Sequence, residues 1–242
     1  MQLTPDELPV TRRHWIAGAA ATATGLMLAS ASTALAADST AKATAPGPAA
    51  LDLTPEQALK RLLDGNQRFI SNKSIEPNRS LARLRETEGG QAPYVAVLSC
   101  ADSRVPVEIL FDQGFGDVFV VRVAGNIVTP EEIASLEFGT LVLGAKALLV
   151  LGHTACGAVK AAIAGQEVPG QISTLFQHIA PAVAAAGTDD LTQVTHANVR
   201  LQVQNLTRGS TVISRLIREE KLLVVGAVYD IGTGVVSSVQ TS

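Results

Sequence analysis

Four short runs of apolar, β-branched-rich residues stand out along the chain, at 94–98, 118–123, 147–151 and 222–229. Glycine, serine, aspartate or asparagine bounds them, and none alternates with polar residues, so each reads as a strand buried on both faces. Between them the apolar positions shift to helical spacing. Thr54-Pro55-Glu56-Gln57 is a helix start, with Thr at the N-cap, Pro at the first position and Gln at the third. Leu59, Leu62, Leu63 and Phe69 continue that period. Thr129-Pro130-Glu131-Glu132 repeats the same start, and its helix runs to about 143, where Gly144 can close it. Further helices are expected over 155–164, ending at Gly165, and over 191–208, where Gly209 breaks the pattern and Ser210 caps a short helix to 220. The polar, basic stretch 75–90, with Arg79, Arg83 and Arg85, reads as a surface arm or short helix. Buried strands separated by helices imply an α/β fold: a mainly parallel central sheet flanked by helices, with an N-terminal helical arm. In open sheets of this kind ligands bind outside the carboxyl ends of the strands.

The first fifty residues are of a different character. Arg12-Arg13 precede a weakly apolar run over 17–31 rich in Ala, Thr and Gly, and Ala34-Leu35-Ala36 supplies a small-x-small cleavage site. Residues 1–36 therefore read as an export signal peptide that resembles the twin-arginine type, cleaved after Ala36, with a retained membrane anchor as the alternative. Residues 37–50, mostly Ala, Thr, Ser and Pro, read as a flexible linker, and 51–242 as the folded domain. The expected location is exported, periplasmic or extracytoplasmic, with no stable membrane span once the signal is removed.

Composition narrows the class. The chain has 242 residues, 47% of them apolar and 17% charged, with a formal net charge of −3 and only 4% aromatic residues. That describes a packed globular protein, and no basic patch interleaved with stacking aromatics points to nucleic acid. No internal repeat is visible.

The candidate chemistry sits where two strands end. Cys100-Ala101-Asp102-Ser103-Arg104 follows the first, and His153-Thr154-Ala155-Cys156-Gly157 follows the third; these hold the chain's only two cysteines. Two thiolates, an imidazole and a carboxylate form a tetrahedral donor set that suits zinc. Cys100, His153 and Cys156 would leave a fourth position. Asp102 can fill it and close the site, or it can stay off the metal, paired with Arg104, and accept a hydrogen bond from bound water. Two other readings compete. Two cysteines in an exported chain form a disulfide by default, although His153 has no part in one. A closed structural zinc site uses the same ligands. His178 and His196 read as ordinary packing or surface residues. Gly152 belongs to turn geometry, and Gly157 can bring a backbone N–H close to a ligand.

These two motifs, in this order and at this separation, resemble those of the beta-class carbonic anhydrases, over roughly 51–236. The resemblance implies Zn2+ held by Cys100, His153 and Cys156, with Asp102 and Arg104 as a dyad gating the fourth position. It implies reversible hydration of carbon dioxide to bicarbonate and a proton through zinc-bound hydroxide, with activity climbing through the alkaline range because two thiolates weaken the Lewis acid. It places Gln91 as a substrate-binding glutamine, and Val105, Phe119 and Phe138 as apolar walls, with Gly157 beside the substrate. Because those walls come partly from a neighbouring subunit in the family, a homodimer or homotetramer is implied, with the helices over 54–85 embracing the partner. Some relatives carry a regulatory bicarbonate pocket of Trp, Arg and Tyr. Arg122 and Tyr229 match the last two, but Val97 stands at the Trp position, so no such pocket is expected. The alternatives are a related zinc hydrolase acting on carbonyl sulfide or carbon disulfide, and a non-catalytic bicarbonate- or zinc-binding module.

Overall fold

The computed structural model describes residues 49–240. The expected export signal and nearly all of the expected linker lie outside them. Among the described residues no helix is long and apolar enough to cross a membrane.

Five strands form one sheet: β1 (Val95–Ser99), β2 (Val118–Arg122), β3 (Ala147–His153), β4 (Leu223–Tyr229) and β5 (Val236–Val239). Their order is β2-β1-β3-β4-β5. β1 pairs in parallel with β2 and with β3, and β3 with β4; only β5 is antiparallel. The four expected strands are the four parallel ones. β1 and β3 are buried at every position, as unbroken apolar runs require of strands covered on both faces.

Two helical layers cover the sheet. Val95, Val97, Leu149 and Leu151 face a core shared with Ala58 and Leu62 of α1 (Pro55–Ile70) and with Val107 and Leu110 of α3 (Val107–Leu110). Ala96, Leu98, Leu148 and Val150 face the other core, built with Leu136 of α4 (Pro130–Glu137), Val199, Val203 and Leu206 of α7 (Leu191–Gly209), and Ile213 of α8 (Thr211–Arg218). The alternation along β1 and β3 thus divides one apolar run between two layers.

Local chemistry accounts for the boundaries. α1 starts on the expected capping box, Thr54 Oγ1 accepting from the Gln57 N–H and Gln57 Oε1 from the Thr54 N–H. It lies on its own sheet, while α2 (Leu81–Glu86), the rest of the expected arm, buries no residue. Gly65 lets α1 approach α3: a Cβ there would stand 1.8 Å from the Phe111 carbonyl oxygen. The expected helix over 129–143 is α-helical only to Glu137 and then widens into a π turn, Phe138–Val142. Thr140 Oγ1 bonds back to the Leu136 carbonyl, and Gly139 packs on the Phe119 ring.

The helix expected from 155 begins two residues later, as α5 (Gly157–Ala164). Ala155 has a left-handed φ of 55°, which cannot continue a helix, and Cys156 is the N-cap. Two elements were not expected. α6 (Ile172–Ala186) carries Pro181 inside it and starts without a side-chain cap, so neither start nor interior reads as helical. β5 is only Val-Ser-Ser-Val.

Candidate metal centre

The connection after β1 leads out to β2, and that after β3 leads the other way, to β4, so the sheet's switch point lies between the carboxyl ends of β1 and β3. Ser99 is in register with Leu151. Cys100 therefore emerges beside the end of β3, where His153 is the last strand residue and Cys156 follows a two-residue turn. Their ligating atoms, Sγ, imidazole nitrogen and Sγ, all lie within 4.8 Å of one another, and all three residues are buried. Both cysteines are free thiols, so the disulfide reading is not realised.

The imidazole is oriented for a ligand. Nδ1 lies 2.9 Å from the Thr154 carbonyl, to which it can only donate. Nε2 then carries the lone pair, is fully buried, and has no hydrogen-bond partner. A buried nitrogen in that state needs a Lewis acid or a proton donor beside it. The two sulfurs depress and raise each other: hydrogen bonding to Cys156 pulls the Cys100 thiol down against burial, aided by His153, while the same bond and then burial push Cys156 up. The pair thus already favours one thiolate, the form a metal binds. A satellite apolar cluster of Ile127, Val159, Ile179 and Val194 surrounds the sulfurs. The donor set and the orphaned Nε2 fit a borderline-soft, four-coordinate ion such as zinc.

Asp102 stands beside this set and not within it. Arg104 donates Nε to its Oδ1 at 2.9 Å and Nη2 to its Oδ2 at 2.8 Å, and the Arg104 N–H adds a third bond at 2.9 Å. The Arg104 side-chain bond, and the backbone bond after it, hold the Asp102 carboxyl well below the usual carboxylate range against burial. Its Oδ2 lies 3.9 Å from His153 Nε2. Arg104 Nη2 also reaches the Ala155 carbonyl at 3.2 Å, so one guanidinium ties the first ligand loop to the second.

The other expected residues divide. Gly157 opens α5 directly after Cys156, with open space where a Cβ would stand. Val105 is fully buried in the α1-side core, beneath the Asp102–Arg104 loop. Gln91 precedes β1 and adjoins Phe115 and Gly116, at the amino end of the strands, so it does not join the cluster within one chain. Phe119, paired with Ala96, lies three residues before the end of β2 and packs on Phe138 with ring centroids 6.3 Å apart. Phe138 is 48% exposed, next to the β2 edge. Val97 is filled core, and Tyr229 pairs with His153 in the sheet. His178 and His196 stay outside the cluster.

Two supports were not read from the sequence. Arg122, at the end of β2, donates Nε to the Cys100 carbonyl at 3.0 Å and Nη2 to the Asp102 carbonyl at 2.6 Å. Gly125 N–H donates to Cys100 Sγ at 3.3 Å. The available signal was position: the loop after β2 leaves the same edge of the sheet as the loop after β1.

The family model for carbonic anhydrase matches residues 95–236. Carbonic anhydrase 2 of Mycobacterium tuberculosis is 36% identical over 187 residues, covering 74% of this chain and 90% of that protein. Beta carbonic anhydrase 3 of Arabidopsis thaliana is 30% identical, over 76% of this chain and 78% of that one. The chain belongs to the beta-class carbonic anhydrases. Among solved structures of the class, one of the tetrameric beta-carbonic anhydrases of Sordaria macrospora superposes with a TM-score of 0.60 at 26% identity, covering 74% of this chain and 95% of that one. The Coccomyxa beta-carbonic anhydrase in complex with acetazolamide gives 0.59 at 29% identity, covering 74% and 85%. The family match spans both motifs, β1 with Cys100 and β3 with His153, and so encloses the whole Cys–His–Cys cluster.

Proposed function

We propose that this protein is a zinc-dependent carbonate dehydratase that hydrates carbon dioxide reversibly to bicarbonate and a proton. The observation that carries the reading is the buried Cys100–His153–Cys156 donor set with an unpartnered Nε2, next to an ionised Asp102 kept off that set by Arg104. Zinc held by these three residues would supply a Lewis acid that lowers the pKa of a bound water toward neutrality. Thr154 fixes the imidazole tautomer through Nδ1. Asp102, ionised and rigidly held, accepts the hydrogen bond of the attacking water and so aims its other lone pair at the carbon. Arg104, bonded to both carboxylate oxygens, would keep Asp102 from joining the three ligands on the metal. Gly157 leaves room for the small substrate.

The proposal includes a homodimer as the smallest complete unit. β2 is an edge strand with one free side among the described residues, and its apolar residues run into the exposed Phe138. Such an edge calls for a partner. A second copy there would bring Gln91, Phe119 and Phe138 to a site that one chain leaves without them, and a tetramer of such dimers is compatible. Export by the N-terminal segment, with removal after Ala36, completes the reading.

The test is metal content together with stopped-flow carbon dioxide hydration of the purified protein. About one zinc per chain and turnover rising through the alkaline range support the proposal. Cys156→Ser should lose the metal and at least about 100-fold in activity, since even outer-shell partners of metal ligands are worth 10–100-fold. Zinc-replete protein inert toward carbon dioxide would overturn the catalytic reading, and turnover of carbonyl sulfide or carbon disulfide in its place would reassign the substrate.

A further inference from the structure

α7 lies on the α4 side of the sheet, and most of its buried positions are apolar: Val194, Ala197, Val199, Val203 and Leu206. Asn198 and Gln202 interrupt them, 1% and 0% exposed. Two carboxamides in such a layer destabilise it unless their hydrogen bonds are met. They are met by a distant segment. Asn198 Nδ2 donates to the Gly125 carbonyl at 2.9 Å, and Gln202 Oε1 accepts from the Val128 N–H at 3.0 Å. Gln202 Nε2 donates to Asn198 Oδ1 at 2.9 Å and to the His178 carbonyl at 3.0 Å, which locks the two amides to each other and to α6.

The clamped segment needs holding. Gly125 and Asn126 both sit in the left-handed region, with φ of 75° and 44°. Asparagine enters that region more readily than other non-glycine residues, and here the surrounding contacts hold it there. A Cβ at Gly125 would stand 2.8 Å from Ile179 Cδ1 and 3.3 Å from Ala158 Cβ, so the turn is wedged as well as hydrogen bonded. In that position the Gly125 N–H points at Cys100 Sγ, 3.3 Å away.

We infer that Asn198, braced by Gln202, is a positioning residue for the metal centre: by holding the Gly125 carbonyl it fixes that residue's backbone, so that the Gly125 N–H, on the preceding peptide plane, donates to the Cys100 sulfur and sets how strongly that sulfur binds the metal. A donor to a ligating thiolate withdraws electron density from it, favours its deprotonated form and fixes its direction, so its loss raises the energy of the sulfur electrons while costing affinity. The inference rests on the zinc reading of the Cys100–His153–Cys156 set.

Cobalt exchanged into the purified protein reads the sulfur directly, through the thiolate-to-cobalt charge-transfer band, and a chromophoric chelator reads zinc affinity. Asn198→Leu should move the band to longer wavelength and weaken zinc binding by about 10-fold. Val199→Ala, one position along the same helix, should lower the melting temperature while leaving band and affinity unmoved. Asn198→Leu that loses stability yet keeps the wild-type band and affinity would overturn the inference and leave the amides as core packing. If that variant does not fold, Asn198→Ser, too short to span to the Gly125 carbonyl, is read in its place against the same criteria. A wild-type protein with no such band overturns the metal reading and this inference with it, whereas a wild-type band that the variants do not move overturns the inference alone.

Discussion

Asp102 and Asp112 stand ten residues apart, on either side of α3, and each is gripped by an arginine. Their surroundings differ. Asp112 is fully buried, and donors from remote chain close around it: Arg68 Nε at 2.7 Å, Ile75 N–H at 3.0 Å and Glu76 N–H at 2.9 Å. It pins the segment after α1 to the end of α3. Asp102 is 17% exposed, and its partner is its own near neighbour. One oxygen still faces the Cys–His–Cys cluster. A carboxylate surrounded on all sides by donors holds structure together. One gripped from a single side keeps a lone pair free for chemistry.

That contrast is strongest where the two are made neutral. Asp102→Asn should retain zinc and its melting temperature while turnover falls by about 100- to 10,000-fold, the range for a lost positioned proton acceptor; stopped-flow rates beside metal content measure it. Unchanged turnover would remove Asp102 from the chemistry. Asp112→Asn should do the reverse, destabilising by about 2–4 kcal/mol because Arg68 loses its buried counter-ion. Denaturant titration reads the loss, and turnover per bound zinc should match wild type.

Acid sharpens the same distinction. Burial raises the Asp112 carboxyl, but Arg68 and the two backbone donors prevail, and the net effect holds it below its ordinary value. Folded Asp112 therefore binds its proton more weakly than the unfolded chain does. Its contribution is complete above about pH 3.9 and fades as pH falls through the lower folded value. The stability gap between wild type and Asp112→Asn should accordingly be constant near neutrality and close below about pH 4. A gap that narrowed already between pH 8 and 6 would mean that another group is responsible.

The smallest effect is expected at Arg104. Lysine keeps the charge but not the planar fork, so Arg104→Lys should leave zinc in place and lower turnover by only about 10-fold.

The sequence displayed the strands and the ligands for the same physical reason. Strands covered on both faces must be apolar throughout, and metal donors placed just after them stand out against that background. Cys100, His153 and Cys156 were legible from spacing alone. Other features depend on register or on distance. Arg122 reaches the Cys100 and Asp102 carbonyls only because β2 pairs with β1 at Ser99–Arg122, and backbone carbonyls leave no trace in side-chain patterns. α6 was hidden by Pro181 and an uncapped start, and β5 by two serines in four residues. Gln91 was read as a substrate-binding residue and Phe138 as a wall, yet a single chain keeps them from the cluster; nothing in a linear pattern distinguishes a residue that would serve its own site from one that would serve a neighbour's.

The order of the strands carries a last consequence. Cys100 and Cys156 are 56 positions apart, and the chain between them contains β2, α4 and Phe138. An ion seated on both sulfurs would therefore tether the ends of a long excursion. By the chain-entropy relation for a cross-link of that span, the tether would restrict the unfolded ensemble by about 4 kcal/mol. Chelation would then do more than silence a reaction: it would release the hem of the sheet, and with it the edge on which a second copy would be stitched.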